Sequence, residues 1–387
     1  MVLLAKDASV AASEKSRIIR NATRCVPNVA SGQPATIDVP DPISTASSTT
    51  SGFTHNLSLS ISPSQPLEEI GANFFFTKYG FELPPTFAGH TTWLSQTYFS
   101  GHHVLRPTIE AVGMAGLSNI RDEPSIMSLA KRRSQEAVIA TKKALNDPVE
   151  GLADETFMAV ILLAFFEFIS FEDWTRYGYW LEHIKAATAL LELRGPKQFT
   201  RVRGAQLLVQ VRSPILAACL QQRLVAPPAI VQATWQFETA PIRDSLKSRY
   251  IASPASISEI SLRLVNLRAA AKNLHKDIES VRRAALVIDN DLKAWREVVS
   301  PAWLYQTVES STADDTFGGK KQVYNIPWVA EVWNNWRALR IAVYQVVLLG
   351  ENIHTPGMDK VNDAAVEVIR QMSEEICISV SAFTENR

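Results

Sequence analysis

ADETFMAVILLAFFEFISFEDWTRYGYWLEHIKAATALLELRGP, residues 153–196, is the stretch whose reading decides the fold. From Phe157 to Ile169 its only polar side chain is Glu167. A helix that is apolar all round belongs inside a protein. At 1.5 Å per residue this one runs roughly 20 Å, short for a bilayer. Asp154 and Glu155 stand where an N-cap and a first-turn acid belong. Glu172-Asp173 closes the apolar run. A second helix then carries Trp180, Ile184, Ala187, Leu190 and Leu191 at helical spacing, until Gly195-Pro196 stops it. The stretch predicts a buried helical hairpin.

The same period spreads in both directions. LEEIGANFFFTKYGFE, from Leu67, predicts a short helix ended by Gly80 and Pro84-Pro85. Residues 107–120 predict another, with Pro107 in its first turn, and Pro124 opens a third that runs toward Asn146. Residues 204–228 predict a helix bent or broken around Pro214. Residues 255–299 alternate apolar and charged groups with helical period, as two antiparallel helices or one long one. Residues 323–351 and the last stretch, from Asp363, predict the final helices. No sustained period-2 strand and no repeat emerges. The expected fold is all-α: a multi-helix bundle over 67–387 behind a leader, 1–66. Much of that leader is Ser/Thr/Pro-rich, too polar to offset its chain entropy, and reads as disordered.

Composition narrows function. The 387 residues carry 39 Lys+Arg against 39 Asp+Glu, so no basic excess points to a dominant nucleic-acid face. Cys25, Cys219 and Cys377 lie too far apart for a disulfide framework or a metal-ligand spacing, which fits a reducing, intracellular location. The N-terminus has too short an apolar run for a signal peptide. There is no Gly-rich phosphate loop, nucleophile elbow or HExxH motif, and no cofactor is expected.

The hairpin also carries a resemblance. DETFMAVILLAFFEF…W…HIKAATALLELRGP resembles the core of the fungal-specific transcription factor domain. IEAVGMAGLSNI, ALNDPVEGLADET, LKAWREVVSPAWLYQTV and WVAEVWNNWRALRIAV resemble further segments of that family, in its order, over roughly residues 67–379. The resemblance implies an all-helical regulatory domain of a transcription regulator, and a nuclear location with the cytoplasm as the alternative. In the family this domain follows a six-cysteine, two-zinc DNA-binding cluster, which the three cysteines here cannot build. The family also continues past the point where this chain ends. Three accounts follow. One is a regulator that works through a protein partner, either a DNA-binding regulator or a second copy of itself, with control of a metabolic gene cluster left open. Another is a helical domain repurposed as a small-molecule-binding protein or an enzyme of secondary metabolism. The third is a truncated gene model of a full zinc-cluster factor. None involves a membrane, and direct sequence-specific DNA binding is not expected.

Six residues stand out as candidate buried polar or pocket residues: Glu167, Trp180, His183, Arg194, Trp333 and Trp336. Glu167 is either a general base in an apolar pocket or, the favoured reading, a carboxylate held by Arg194, an indole N–H or a loop amide. Trp180 is expected to be a central packing residue. His183 is either a proton carrier or a packed histidine. The aromatics Trp174, Tyr177, Tyr179 and Trp180, with Trp328, Trp333 and Trp336, form either a ligand pocket or ordinary core. His102-His103 read as surface residues pointing apart with no acidic or thiol partner nearby. Lys131-Arg132-Arg133 with Lys142-Lys143 read as a solvated face or a localisation patch.

Overall fold

A computed structural model describes residues 65–79, 89–171, 174–240, 255–272, 278–310, 316–325, 329–349, 358–380 and 382. Residues 1–64, nearly all of the expected leader, lie outside the described residues, as do the Glu172-Asp173 break and Trp328.

The described chain is helix-dominated. In order come α1 (Leu67–Lys78), α2 (Gly89–Phe99), α3 (Leu105–Arg121), α4 (Pro124–Asn146), α5 (Asp154–Ile169), α6 (Trp174–Arg194), α7 (Val202–Gln222) and α8 (Pro228–Thr239). Then follow α9 (Ala255–Ala271), α10 (Ile278–Glu297), a two-stranded ribbon, α11 (Val329–Val347) and α12 (Met358–Ser379). The all-α expectation holds, and residues 255–299 resolve into two helices. Missed from the sequence were α2, α8 and the ribbon. Helices α2 and α8 follow Gly- and Pro-rich stretches and carry few charges to mark an outer face. The ribbon pairs β1 (Tyr305–Glu309) antiparallel with β2 (Lys320–Tyr324), Tyr305 opposite Tyr324 and Glu309 opposite Lys320. Gly318 and Gly319, with φ of 61° and 72°, form the tight turn between Phe317 and Lys320 that leads into β2. Positive φ at both centres is the turn that matches strand twist. Five-residue strands are too short to show alternation in sequence.

Two hydrophobic clusters organise the bundle. The first is built from α1–α8 around α5, where Phe157, Val160, Leu163 and Phe166 are all but inaccessible. Helix α5 packs against α3, α4, α6 and α7. Helices α1 and α3 meet backbone to backbone: a Cβ at Gly113 would collide with the Gly71 carbonyl. The second cluster joins α9–α12, centred on Trp303, Trp333 and Trp336. Helix α9 bridges the two, packing on α7 and α10, with Val265 in the first cluster and Leu264 in the second.

One local expectation is corrected and another is narrowed. Asp154 is not an N-cap. Ala153 holds that position without a side-chain bond, and Asp154, one residue on, turns into the protein. Pro214 does not break its helix: α7 runs through it. Proline has no N–H, so the Gln210 carbonyl loses its helical donor, and the helix continues across the gap.

Candidate functional site

The α5–α6 hairpin and its neighbours enclose a cavity of about 430 Å³. Helix α5 explains why it exists. Its apolar residues are in excess of what neighbouring helices cover. Ile161, Phe165 and Phe168 fall on one face at helical spacing; the first two are half-buried and Phe168 is 70% exposed. All three line the cavity. Phe75 and Tyr79 of the α1 segment, Trp180 and Ile184 of α6, and Gln210, Val211 and Pro214 of α7 complete most of the wall. Glu331, in the first turn of α11, brings in the second half of the molecule. Its side chain is open to water, yet protein surrounds it closely enough that desolvation raises its carboxyl pKa.

The six candidate residues do not converge on this cavity. Trp180 lines it, stacked on Tyr177 with ring centroids 5.4 Å apart, and is half-buried rather than central to the core. His183, one turn along α6, is completely buried, and neither ring nitrogen has a hydrogen-bond partner among the described residues. Desolvation, helped by the charge of Lys142, lowers its pKa to about 3, so the imidazole is neutral. Glu167 is 3% exposed and is not left unpartnered. Arg194 is not committed to it. Arg194 donates to Asp154 and to the Leu152 carbonyl, and Arg201 reaches the other Asp154 oxygen at 2.8 Å. Burial acts to raise the Asp154 pKa, but the two guanidinium groups outweigh it and hold the carboxyl below its usual range. The pair ties the start of α5 to the end of α6, a structural role.

Trp333 and Trp336 lie in the second cluster. Their indole N–H groups donate to the Trp303 carbonyl at 2.7 Å and the Leu292 carbonyl at 2.8 Å. Their rings meet edge to face, centroids 5.5 Å apart. The aromatic set is therefore divided between two cores and forms no single pocket. Tyr179 points outward, and the Trp174 side chain lies outside the described residues.

Sequence reasoning missed three polar centres. Glu110, fully buried on α3, receives Arg106 at 3.0 Å, Arg133 at 2.6 Å and the Tyr98 hydroxyl at 3.2 Å. Burial, then the Glu110 charge, pushes the Tyr98 pKa up to about 12. This network takes Arg133 out of the supposed solvated face. Asp289 receives Arg340 at 2.7 Å, Lys293 at 2.7 Å and the Tyr344 hydroxyl at 2.9 Å. Arg337, also fully buried, joins Glu375 of α12 to Gln322 and Tyr324 of the ribbon. In sequence, each looks like an ordinary helix charge.

His102 and His103 also differ from expectation. They sit in a turn rather than on a helix, their rings stack 5.2 Å apart, and Glu150 is beside them, 2.8 Å from His103 Nε2. The ligand-type atoms of these three residues lie within 4.8 Å of one another, close enough to share a metal ion. The trio is at the surface and already hydrogen-bonded within itself. Among the described residues, no helix is long and apolar enough to cross a membrane.

This helical architecture, with its central apolar helix, agrees with the comparison to known families. The family model for the fungal-specific transcription factor domain matches residues 99–384. The chain belongs to that family. Neither a curated protein nor a solved structure matches it. The match starts at the end of α2 and reaches past α12, so it takes in the whole second cluster and all of the first except the residues that α1 and α2 supply.

Proposed function

We propose that this chain is a nuclear regulator of transcription that acts through a protein partner and does not itself read a DNA sequence. The observation that carries the reading is the family match over both halves of the bundle. Charge supports the absence of direct reading: 39 basic residues balance 39 acidic ones, and the most basic short run, Lys131–Arg133, lies within α4 with Arg133 held by Glu110 and Glu136. Base readout needs an element that enters a groove together with phosphate contacts. A partner needs a sticky surface, and α8 offers one. Val231 and Trp235, one turn apart, are 41% and 66% exposed. Exposed tryptophan is the side chain most often found at the energetic centre of protein interfaces. Control of a metabolic gene cluster is the target class this reading favours.

The test combines two measurements. The purified chain is mixed with duplex DNA in a mobility-shift assay over a salt series, and chromatin occupancy is followed in cells with and without co-purifying regulators. The expected result is weak, salt-sensitive, sequence-independent binding alone, and occupancy that depends on the partner and is lost in Trp235→Ala. Tight, sequence-selective binding by the isolated chain overturns the partner reading.

A further inference from the structure

The cavity beside α5 has a chemical character that regulation through protein contacts does not use. Its wall is apolar and aromatic: Phe75, Phe165 and Trp180 supply ring faces, and Ile161 adds aliphatic surface. Its charge is one-sided. Among the described lining residues none is basic, whereas Glu331 contributes a carboxyl group. Glu331 has no ion-pair or hydrogen-bond partner among the described residues, and burial alone accounts for its raised pKa. Helix α7 adds backbone chemistry to the wall. Pro214 has no N–H to give to the Gln210 carbonyl, and both residues line the cavity. A carboxylate beside aromatic faces, with no basic side chain among the described lining residues, complements a cationic donor. Ring faces attract cations through their quadrupole, and a carboxylate at the mouth of an apolar wall makes a charge-assisted hydrogen bond to an ammonium group. The volume of about 430 Å³ is in the range of small-molecule sites.

We propose that this cavity binds a small molecule made of a compact apolar body and a protonated amine, with the amine on Glu331 and the body against Ile161, Phe165 and Trp180. Glu331 belongs to α11, while the rest of the wall belongs to α1, α2, α5, α6 and α7 and the residues beside them. An occupant would therefore touch both halves of the bundle and draw the start of α11 toward α5. The proposal rests on the cavity's chemistry and is independent of the regulator reading: DNA and partner assays leave it untouched.

Three probes that share one apolar cage separate head-group chemistry from hydrophobic fit: 1-adamantanamine, 1-adamantanol and 1-adamantanecarboxylate. Each is titrated into the full chain at neutral pH by isothermal calorimetry. The expected order of affinity is amine, alcohol, carboxylate, with the amine about tenfold tighter than the carboxylate. Glu331→Gln keeps the shape and removes the charge. It is expected to weaken the amine about tenfold and leave the alcohol within about twofold. Ile161→Phe and Ile161→Trp, checked for helical content by circular dichroism, are expected to weaken all three in graded fashion by filling the cavity. Equal affinity for the three heads, an amine preference that survives Glu331→Gln, unchanged binding in folded Ile161→Phe, or no binding of any probe overturns the proposal.

Discussion

His183 should make this protein acid-sensitive from about pH 6.5 downward, above the range where ordinary carboxylates are mostly protonated. The perturbation is His183→Leu, which keeps a similar volume and removes both ring nitrogens. In the folded chain the imidazole is fully buried beside Lys142, with its pKa lowered to about 3. In the unfolded chain it titrates near its ordinary 6.5. As pH falls below 6.5 the unfolded state takes up a proton that the folded state refuses. Stability is therefore complete above pH 6.5 and is lost progressively toward pH 3. Between pH 8 and pH 5 the loss is about 2 kcal/mol, from the protonated fraction of the unfolded chain at the lower pH. The assay is urea denaturation of both proteins at half-unit steps of pH. The wild type should lose about 2 kcal/mol more than His183→Leu across that window. His102, whose pKa burial also lowers, is common to both proteins, so the difference isolates His183. At pH 8 the variant should be at least as stable as the wild type, because two buried nitrogens without hydrogen bonds have been removed. Parallel curves for the two proteins refute the argument. So does a loss of several kcal/mol in the variant at pH 8, which would mean the ring is hydrogen-bonded.

Other perturbations test the rest of the frame. Gly113→Ala should destabilise by about 1–3 kcal/mol in thermal unfolding, since its methyl group would meet the Gly71 carbonyl on α1; a neutral result would separate α1 from α3. Asp289→Asn should cost about 3–5 kcal/mol by leaving the buried Arg340 guanidinium without its counter-charge. Burial works to raise the Asp289 pKa, but the bonds from Arg340 and Lys293 outweigh it, so the wild type keeps this stability above the ordinary carboxylate range and loses it as pH falls through the lowered value. Denaturation of the wild type should show that acid limb, and the asparagine variant should lack it. Trp180→Ala should cost about half of the 3–5 kcal/mol typical of a fully buried tryptophan, because Trp180 is only half-buried at the cavity wall; the full cost in chemical denaturation would put it in the core.

The sequence by itself determined the class of fold and its central element. Thirteen residues from Phe157 to Ile169 with one polar side chain had to be inside, and apolar spacing near 3.6 in the flanking segments left helices as the natural cover. The resemblance to the family is carried in part by the same residues. Period also announced α3, α4, α6, α7 and the four helices after residue 255. What period cannot carry is the pairing of charges across elements. Arg194 finds Asp154 at a separation of 40 residues, and Arg340 finds Asp289 at 51. Any acid would have looked as suitable as another in the linear chain, because the choice depends on which helix ends are brought together by packing. The same holds for the site. That Ile161, Phe165 and Phe168 form one face of α5 follows from sequence. That this face is left half-covered, and that Glu331 arrives beside it from the far half of the chain, was decided by how the two clusters dock on α7 and α9. Side-chain chemistry set what could be buried; only the tertiary arrangement set what each buried group would meet.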